Sequence, residues 1–190
     1  VPFFPTLKSY ELKNLIDFGE VKLLFAGKLE NWEEQSKGVN DIPVISFPNY
    51  KNHSAIPNST NWNDLLNRFE PKIDNYHPKL KDIWTIVFTS GTTGDPKGVV
   101  IDYNTIYLTK DIIENKVNPL AVNRNGNNTF LSYLPLNHIF ERVVIESSCL
   151  RYGGTMSFVE SLDSFGKNLA DVQPTTFAGV PRIYNKFREK

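Results

Sequence analysis

The stretch Thr89-Ser90-Gly91-Thr92-Thr93-Gly94-Asp95-Pro96-Lys97-Gly98 decides how this chain is read. An apolar run, Ile83 to Phe88, leads into it, and a second, Val99 to Ile101, leads out. Glycines let backbone N–H groups approach an anion with no Cβ in the way. Successive inward N–H groups form a concave nest for phosphate oxygens. Ser90, Thr92 and Thr93 add rotatable hydroxyl donors, and Lys97 adds a mobile positive charge. Pro96 restricts the loop by holding one φ angle. This is a phosphate-holding set, but not a Walker A site. That motif needs Gly, four intervening residues and then Gly-Lys-Ser/Thr, whereas Pro96 stands at the fifth position after Gly91 and Gly98 follows Lys97. A strand follows the loop instead of a helix, so a helix N-terminus is not its main anion holder.

Outward from the loop, strand-like and helix-like segments alternate. Strands are expected at 21–26, 42–47, 83–88, 129–134, 155–159 and 175–179. Helices are expected at 9–18, 62–69, 105–117, 138–150, 162–171 and 181–189. Ser9 suits a helix start, Ser161 suits the cap of the next-to-last helix, and Pro181 suits a first helical turn. Gly153-Gly154 stops the helix before it. Alternation of this kind predicts an α/β fold with parallel sheets and helices on their faces. The polar, turn-rich run Val122 to Asn128 marks a subdomain boundary. Residues 1–121 then form a first α/β subdomain carrying the loop, and 128–190 a second. Residues 48–61, rich in Asn, Pro and Ser, read as a surface loop.

Composition narrows the function. The 190 residues can bury a real core. Zero net formal charge argues against nucleic acid or an anionic membrane as a bulk electrostatic partner. The single cysteine, Cys149, excludes an internal disulfide and suits a reducing compartment. No apolar run approaches about 20 residues, so no bilayer span is expected. The expected setting is cytoplasmic, with at most peripheral membrane association.

The ten-residue loop string resembles, throughout, the phosphate loop of the adenylate-forming, AMP-binding superfamily. Two later runs are similar to its long-chain fatty acyl-CoA synthetase branch. The first is Leu134-Pro135-Leu136-Asn137-His138-Ile139-Phe140-Glu141-Arg142. The second is Gln173-Pro174-Thr175-Thr176-Phe177-Ala178-Gly179-Val180-Pro181-Arg182. Val1-Pro2-Phe3-Phe4-Pro5-Thr6 also resembles the stretch before the first helix of those synthetases.

The resemblance implies the fold, two layered parallel-sheet subdomains within a larger N-terminal domain, and a chemistry. ATP and a fatty acid would give an acyl-adenylate, and coenzyme A would take the acyl group as a thioester. Thr89, Ser90, Gly91, Thr92, Thr93, Gly94 and Lys97 would hold the ATP phosphates. Thr89 or Ser90 would offer a hydroxyl to Mg²⁺, with Thr89 the first candidate. His138 would orient the acyl carboxylate, and Gly179, Val180 and Pro181 would line the acyl pocket. Standing alone, a His at a helix start is more often a cap or a satisfied buried side chain; the flanking motif shifts the reading of His138 toward function. His138 and Glu141 are followed by no further ligand at metal spacing, which argues against zinc.

The chain departs from the family pattern in places. Asp102-Tyr103-Asn104-Thr105 stands where Thr-His-x-Asn is common, and Asp102 can still cap a helix. Arg142 stands where some long-chain enzymes carry a tryptophan gate, so a gate of that kind is not expected. The family's adenine, ribose, hinge and catalytic-lysine motifs are absent. The stretch therefore reads as part of a larger ligase, inactive alone and needing the remainder of its chain. The competing readings are a fatty acyl-AMP ligase, a peptide-synthetase adenylation domain, or a non-catalytic nucleotide-binding module.

Overall fold

A computed structural model describes residues 1–48, 53–90, 96–112 and 127–188. The chain divides into two compact units. One comprises Phe3–His77 and Phe88–Gly98; the other comprises Val1–Pro2, Pro78–Val87 and Val99–Lys190. The boundary expected at 122–128 lies mostly outside the described residues.

In the first unit, α1 (Ser9–Phe18) carries Leu12, Leu15 and Ile16 at the spacing that buries one helical stripe. Each such side chain contributes about 1.5–3 kcal/mol when fully removed from water. Glu11 reaches back to accept from the Lys8 N–H at 2.8 Å, and Gly19 closes the helix by donating to the Leu15 carbonyl at 3.0 Å. A short helix, α2 (Trp32–Gln35), runs into a 3₁₀ turn, Ser36–Gly38. Gln35 is buried and donates from Nε2 to the carbonyls of Pro5 (2.7 Å) and Leu7 (3.0 Å), pinning the segment that leads into α1.

Beside these helices, β1 (Leu24–Ala26), β2 (Val44–Ser46) and β3 (Thr60–Asn61) form a parallel sheet with β2 in the middle. Leu24 pairs with Val44 and Ile45 with Thr60. Phe25, Phe47 and Trp62 cluster on it, with ring centroids 5.3–6.2 Å apart. Within the stretch read as a surface loop, the Ser54 N–H donates to the Leu29 carbonyl at 2.7 Å, and its hydroxyl donates to the Glu30 carbonyl at 2.8 Å. Asn61 caps α3 (Trp62–Arg68) by accepting from the Asn63 N–H.

The strands β4 (Ile83–Ser90) and β5 (Pro96–Asp102) pair, and both units draw residues from them. In the second unit, Val87, Ile101 and Val143 form a buried cluster that Trp84 and Ile106 pack against. Asp102 caps α4 (Tyr103–Ile112) as expected. Its carboxylate accepts from the Thr105 N–H (2.8 Å) and hydroxyl (2.7 Å), and the hydroxyl first, then the N–H, hold its pKa below the ordinary carboxylate value. The expected continuation of that helix past 112 lies outside the described residues.

β6 (Asn128–Ser132) and β7 (Gly154–Phe158) pair in parallel, Phe130 against Met156, joined by a helical crossover. That crossover enters a π-helical segment at Glu141–Glu146 and continues as α5 (Ser147–Tyr152). Gly153 ends it at φ +64°, the left-handed region where a Cβ is costly. The final helices are α6 (Phe165–Val172) and α7 (Pro181–Arg188).

Three sequence expectations need correction. Asn128 is no linker residue; it starts β6, fully buried, and donates to the Gly153 carbonyl at 3.2 Å, satisfying a helix-terminal acceptor. Residues 175–179 form no strand: a single parallel bridge joins Thr176 to Phe130. There Thr129 and Thr175 exchange N–H to hydroxyl bonds, both 2.9 Å, because their side chains take over the backbone partners of a ladder. Ser161 does not cap α6, which begins at Phe165. Ser161 and Ser164 bond to each other in the preceding turn instead.

Candidate functional site

The candidate phosphate site begins on the β4–β5 pair. Thr89 and Lys97 face each other where the two strands leave the loop, and the Thr89 hydroxyl donates to the Lys97 carbonyl at 3.5 Å. Both residues are exposed. Among the described residues no carboxylate lies within ion-pair distance of the Lys97 ammonium. A hydroxyl donating to a carbonyl still presents lone pairs, so Thr89 retains the acceptor capacity that a hard cation requires. This donor set fits a Mg²⁺-bound polyphosphate: one cation for anionic oxygens, one hydroxyl for the metal. Ser90 ends β4. Gly91, Thr92, Thr93 and Gly94 lie outside the described residues.

His138 lies in the turn between β6 and the crossover helix, in the other unit. Its N–H donates to the Pro135 carbonyl at 2.8 Å, and its own carbonyl accepts from the Arg142 N–H at 3.1 Å. The ring also caps the helix: Nδ1 accepts from the Phe140 N–H at 3.3 Å. An accepting Nδ1 places the proton of the neutral ring on Nε2. Cap and ligand donor are thus compatible roles, one for each nitrogen.

One turn further on, Glu141 is completely buried, and neither carboxylate oxygen has a partner in hydrogen-bond geometry. Burial pushes its pKa up. The Ser132 hydroxyl and the N–H groups of Leu134 and Tyr133 oppose that rise, and burial outweighs them. Asn137, four residues earlier and also buried, leaves both amide atoms unpaired. The sequence reading missed this buried polar pair, because a Glu in an amphipathic helix ordinarily faces water. Arg142 lies over the Trp84 ring at 4.8 Å and donates to both Glu146 oxygens at 2.8 and 2.9 Å.

Gly179, Val180 and Pro181 form the turn into α7, in the same unit as His138. The Val180 N–H donates to the Tyr133 hydroxyl at 3.0 Å, which ties this turn to the end of β6 just ahead of the His138 segment. A Cβ on Gly179 would stand 3.1 Å from the Tyr184 ring and 3.2 Å from Phe177, so the two rings leave room only for glycine unless they shift. Tyr133 carried no role in the sequence reading. A Tyr after a buried strand is a common core residue, and its partner lies 47 positions away.

A family model described as "AMP-binding enzyme" matches residues 1–190. Among curated proteins, Long chain acyl-CoA synthetase 3 of Arabidopsis thaliana is 29% identical over 200 residues, 98% of this chain and 30% of that protein. Long-chain-fatty-acid–CoA ligase 1 of Homo sapiens is 30% identical over 212 residues, 100% of this chain and 29% of that protein. The chain thus spans about 30% of the length of the curated relatives it matches. Among solved structures, a red-emitting luciferase from Phrixothrix hirtus superposes with a TM-score of 0.73 at 19% identity, over 95% of this chain and 45% of that one. ATP-bound MatB from Rhodopseudomonas palustris gives 0.71 at 18%, over 98% and 35%.

Proposed function

We propose a function from one premise: the chain belongs to the AMP-binding enzyme family. It is the phosphate-loop and acyl-site portion of an ATP-dependent long-chain fatty acid–CoA ligase. The observation that carries this reading is the end-to-end match, at 29–30% identity, to curated long-chain acyl-CoA synthetases and ligases. The side chains support it by their chemistry.

The fatty acid carboxylate attacks the α-phosphorus of ATP, the bond to the β-phosphate oxygen breaks, and pyrophosphate leaves. Little covalent work falls to the protein in such a transfer; positioning and stabilisation of spreading negative charge are its contribution. Lys97 supplies a cation for the leaving phosphates, held on β5 beside Thr89. Thr89 offers its hydroxyl to Mg²⁺, which neutralises phosphate charge when bound. Ser90 and the loop residues Gly91, Thr92, Thr93 and Gly94 belong to the same proposed grip. His138 donates from Nε2–H to the acyl carboxylate while Nδ1 stays engaged with the Phe140 N–H. Gly179, Val180 and Pro181 form part of the acyl pocket wall. The thiol of coenzyme A then attacks the acyl carbonyl carbon and AMP leaves.

The test is ATP–pyrophosphate exchange by the full-length chain carrying this sequence, across fatty acids of increasing length, with Lys97→Met in parallel. Exchange with long saturated acids, reduced roughly 10²-fold or more by the substitution, is expected for the loss of a preorganised charge contact. Exchange confined to amino or aryl acids would move the protein to another branch. Exchange unchanged in Lys97→Met would refute the role given to the loop.

A further inference from the structure

The turn at Gly179–Pro181 is held from several sides, and one residue supplies two of the restraints. Pro181 has no N–H and restricts Val180 to extended backbone. Past Thr176 no sheet partner exists for this segment, since the bridge to Phe130 is its only ladder contact among the described residues. The Val180 N–H therefore needs a partner from outside the backbone ladder, and the Tyr133 hydroxyl accepts it at 3.0 Å. The Tyr133 ring also packs edge-on to Phe165 at 5.5 Å and tilted against Phe177 at 6.0 Å. Phe177 in turn meets Tyr184 edge-on at 6.3 Å, and those two rings close over Gly179.

We propose that Tyr133 is a specificity-determining positioning residue: its hydroxyl clamps the Val180 backbone, and its ring seats Phe177, together fixing how far the Gly179–Pro181 turn projects into the acyl pocket. The inference rests on the long-chain ligase reading for the identity of that pocket, and on the hydrogen bond and ring contacts for the clamp itself. Tyr133 touches no reacting atom in this scheme. Loss of its hydroxyl leaves the chemistry intact and frees the turn to move. Such a change acts on ground-state and transition-state binding of the acyl tail alike, so it appears in KM and leaves kcat nearly unchanged.

The experiment uses the full-length chain, wild type and Tyr133→Phe, with two readouts. The first is exchange of the Val180 amide proton, followed by NMR or mass spectrometry across residues 177–184. Its protection is expected to fall about 10-fold when the hydroxyl is removed, as the local opening becomes easier. The second is the dependence of acid activation on acyl length. KM for the preferred acid is expected to rise about 3- to 10-fold, the equivalent of one hydrogen bond, with kcat within about twofold and discrimination between neighbouring chain lengths flattened. Unchanged Val180 protection overturns the clamp whatever the substrate. Lower protection with an unaltered chain-length profile, in a wild type that activates fatty acids, overturns the specificity role. A wild type that activates no fatty acid overturns the ligase reading and with it the pocket assignment, while the amide readout still judges the clamp.

Discussion

Glu141→Gln is the substitution whose outcome the structure determines most closely. The native carboxylate has no exposure to water and no partner in hydrogen-bond geometry at either oxygen. Burial raises its pKa above the ordinary glutamate value, and the nearby donors at Ser132, Leu134 and Tyr133 only partly oppose this. The sign follows from proton binding. Because the folded pKa is the higher one, the folded chain holds more protons than the unfolded chain between the two values. The favourable contribution is therefore complete below the unfolded pKa and is lost as pH rises through the folded one. Gln cannot ionise and removes this loss. An unsatisfied buried polar group costs about 1–3 kcal/mol, and more when charged. The amide retains part of that cost, so a gain near the lower end of the range is expected at neutral pH. For a chain of this size, each kcal/mol moves Tm by about 2–4 °C. The assay is thermal unfolding of both chains from about pH 4 to pH 8, spanning the carboxylate range. The variant should melt higher at neutral pH, converge with wild type in acid, and show the flatter pH dependence. Equal pH slopes, or a Gln variant that is less stable at neutral pH, would refute the reasoning and mean that the three nearby donors satisfy the carboxylate.

Two further predictions concern backbone packing and the histidine. A Cβ at Gly38 would overlap the Ser9 backbone carbonyl, well inside van der Waals contact, whereas one at Gly166 meets nothing within 4 Å. Chemical denaturation should show Gly38→Ala destabilising by about 1–3 kcal/mol through overpacking, and Gly166→Ala, in α6, stabilising by about 0.4–1 kcal/mol. His138→Ala should cost about 0.5–2 kcal/mol as a lost helix cap, with His138→Asn recovering most of it. Adenylate formation should stay low in both, and full activity in the Asn variant would show that His138 is a cap and nothing more.

Much of the architecture was legible because it rests on local chemistry. Helix α1 starts at Ser9 and ends at Phe18 as its apolar spacing indicates, and α7 begins at Pro181 where a fixed φ suits a first turn. Asp102 caps α4 through Thr105, three residues on, within reach of a pattern read along the chain. The misses share one cause. Ser161 and Ser164 both had the right chemistry for a cap, and only their mutual hydrogen bonds decided against it. Thr175 and Thr129 are 46 positions apart, so nothing local announced that their hydroxyls would replace a strand ladder. Asn128 looked like the end of a polar linker because Asn in an Asn-rich run reads as a turn. Its burial depends on carbonyls at the far end of a helix.

What the amino-acid sequence determined by itself is the family and the alternating α/β plan, and it named the candidates for meeting a polyphosphate. The plan and the candidates follow from residue type and short spacing (glycines and hydroxyls between two strands, one lysine, a histidine after a strand), and the family from the resemblance of those motifs in their order along the chain. What only the tertiary structure decided is which polar groups are deprived of water and which distant residues hold each other. Glu141 became a fully buried carboxyl group, His138 took the Phe140 N–H on Nδ1, and Tyr133 became the partner of Val180. Burial and long-range hydrogen bonding depend on what the rest of the chain places nearby, and the free energy of a polar group is set by that surrounding rather than by its neighbours in sequence.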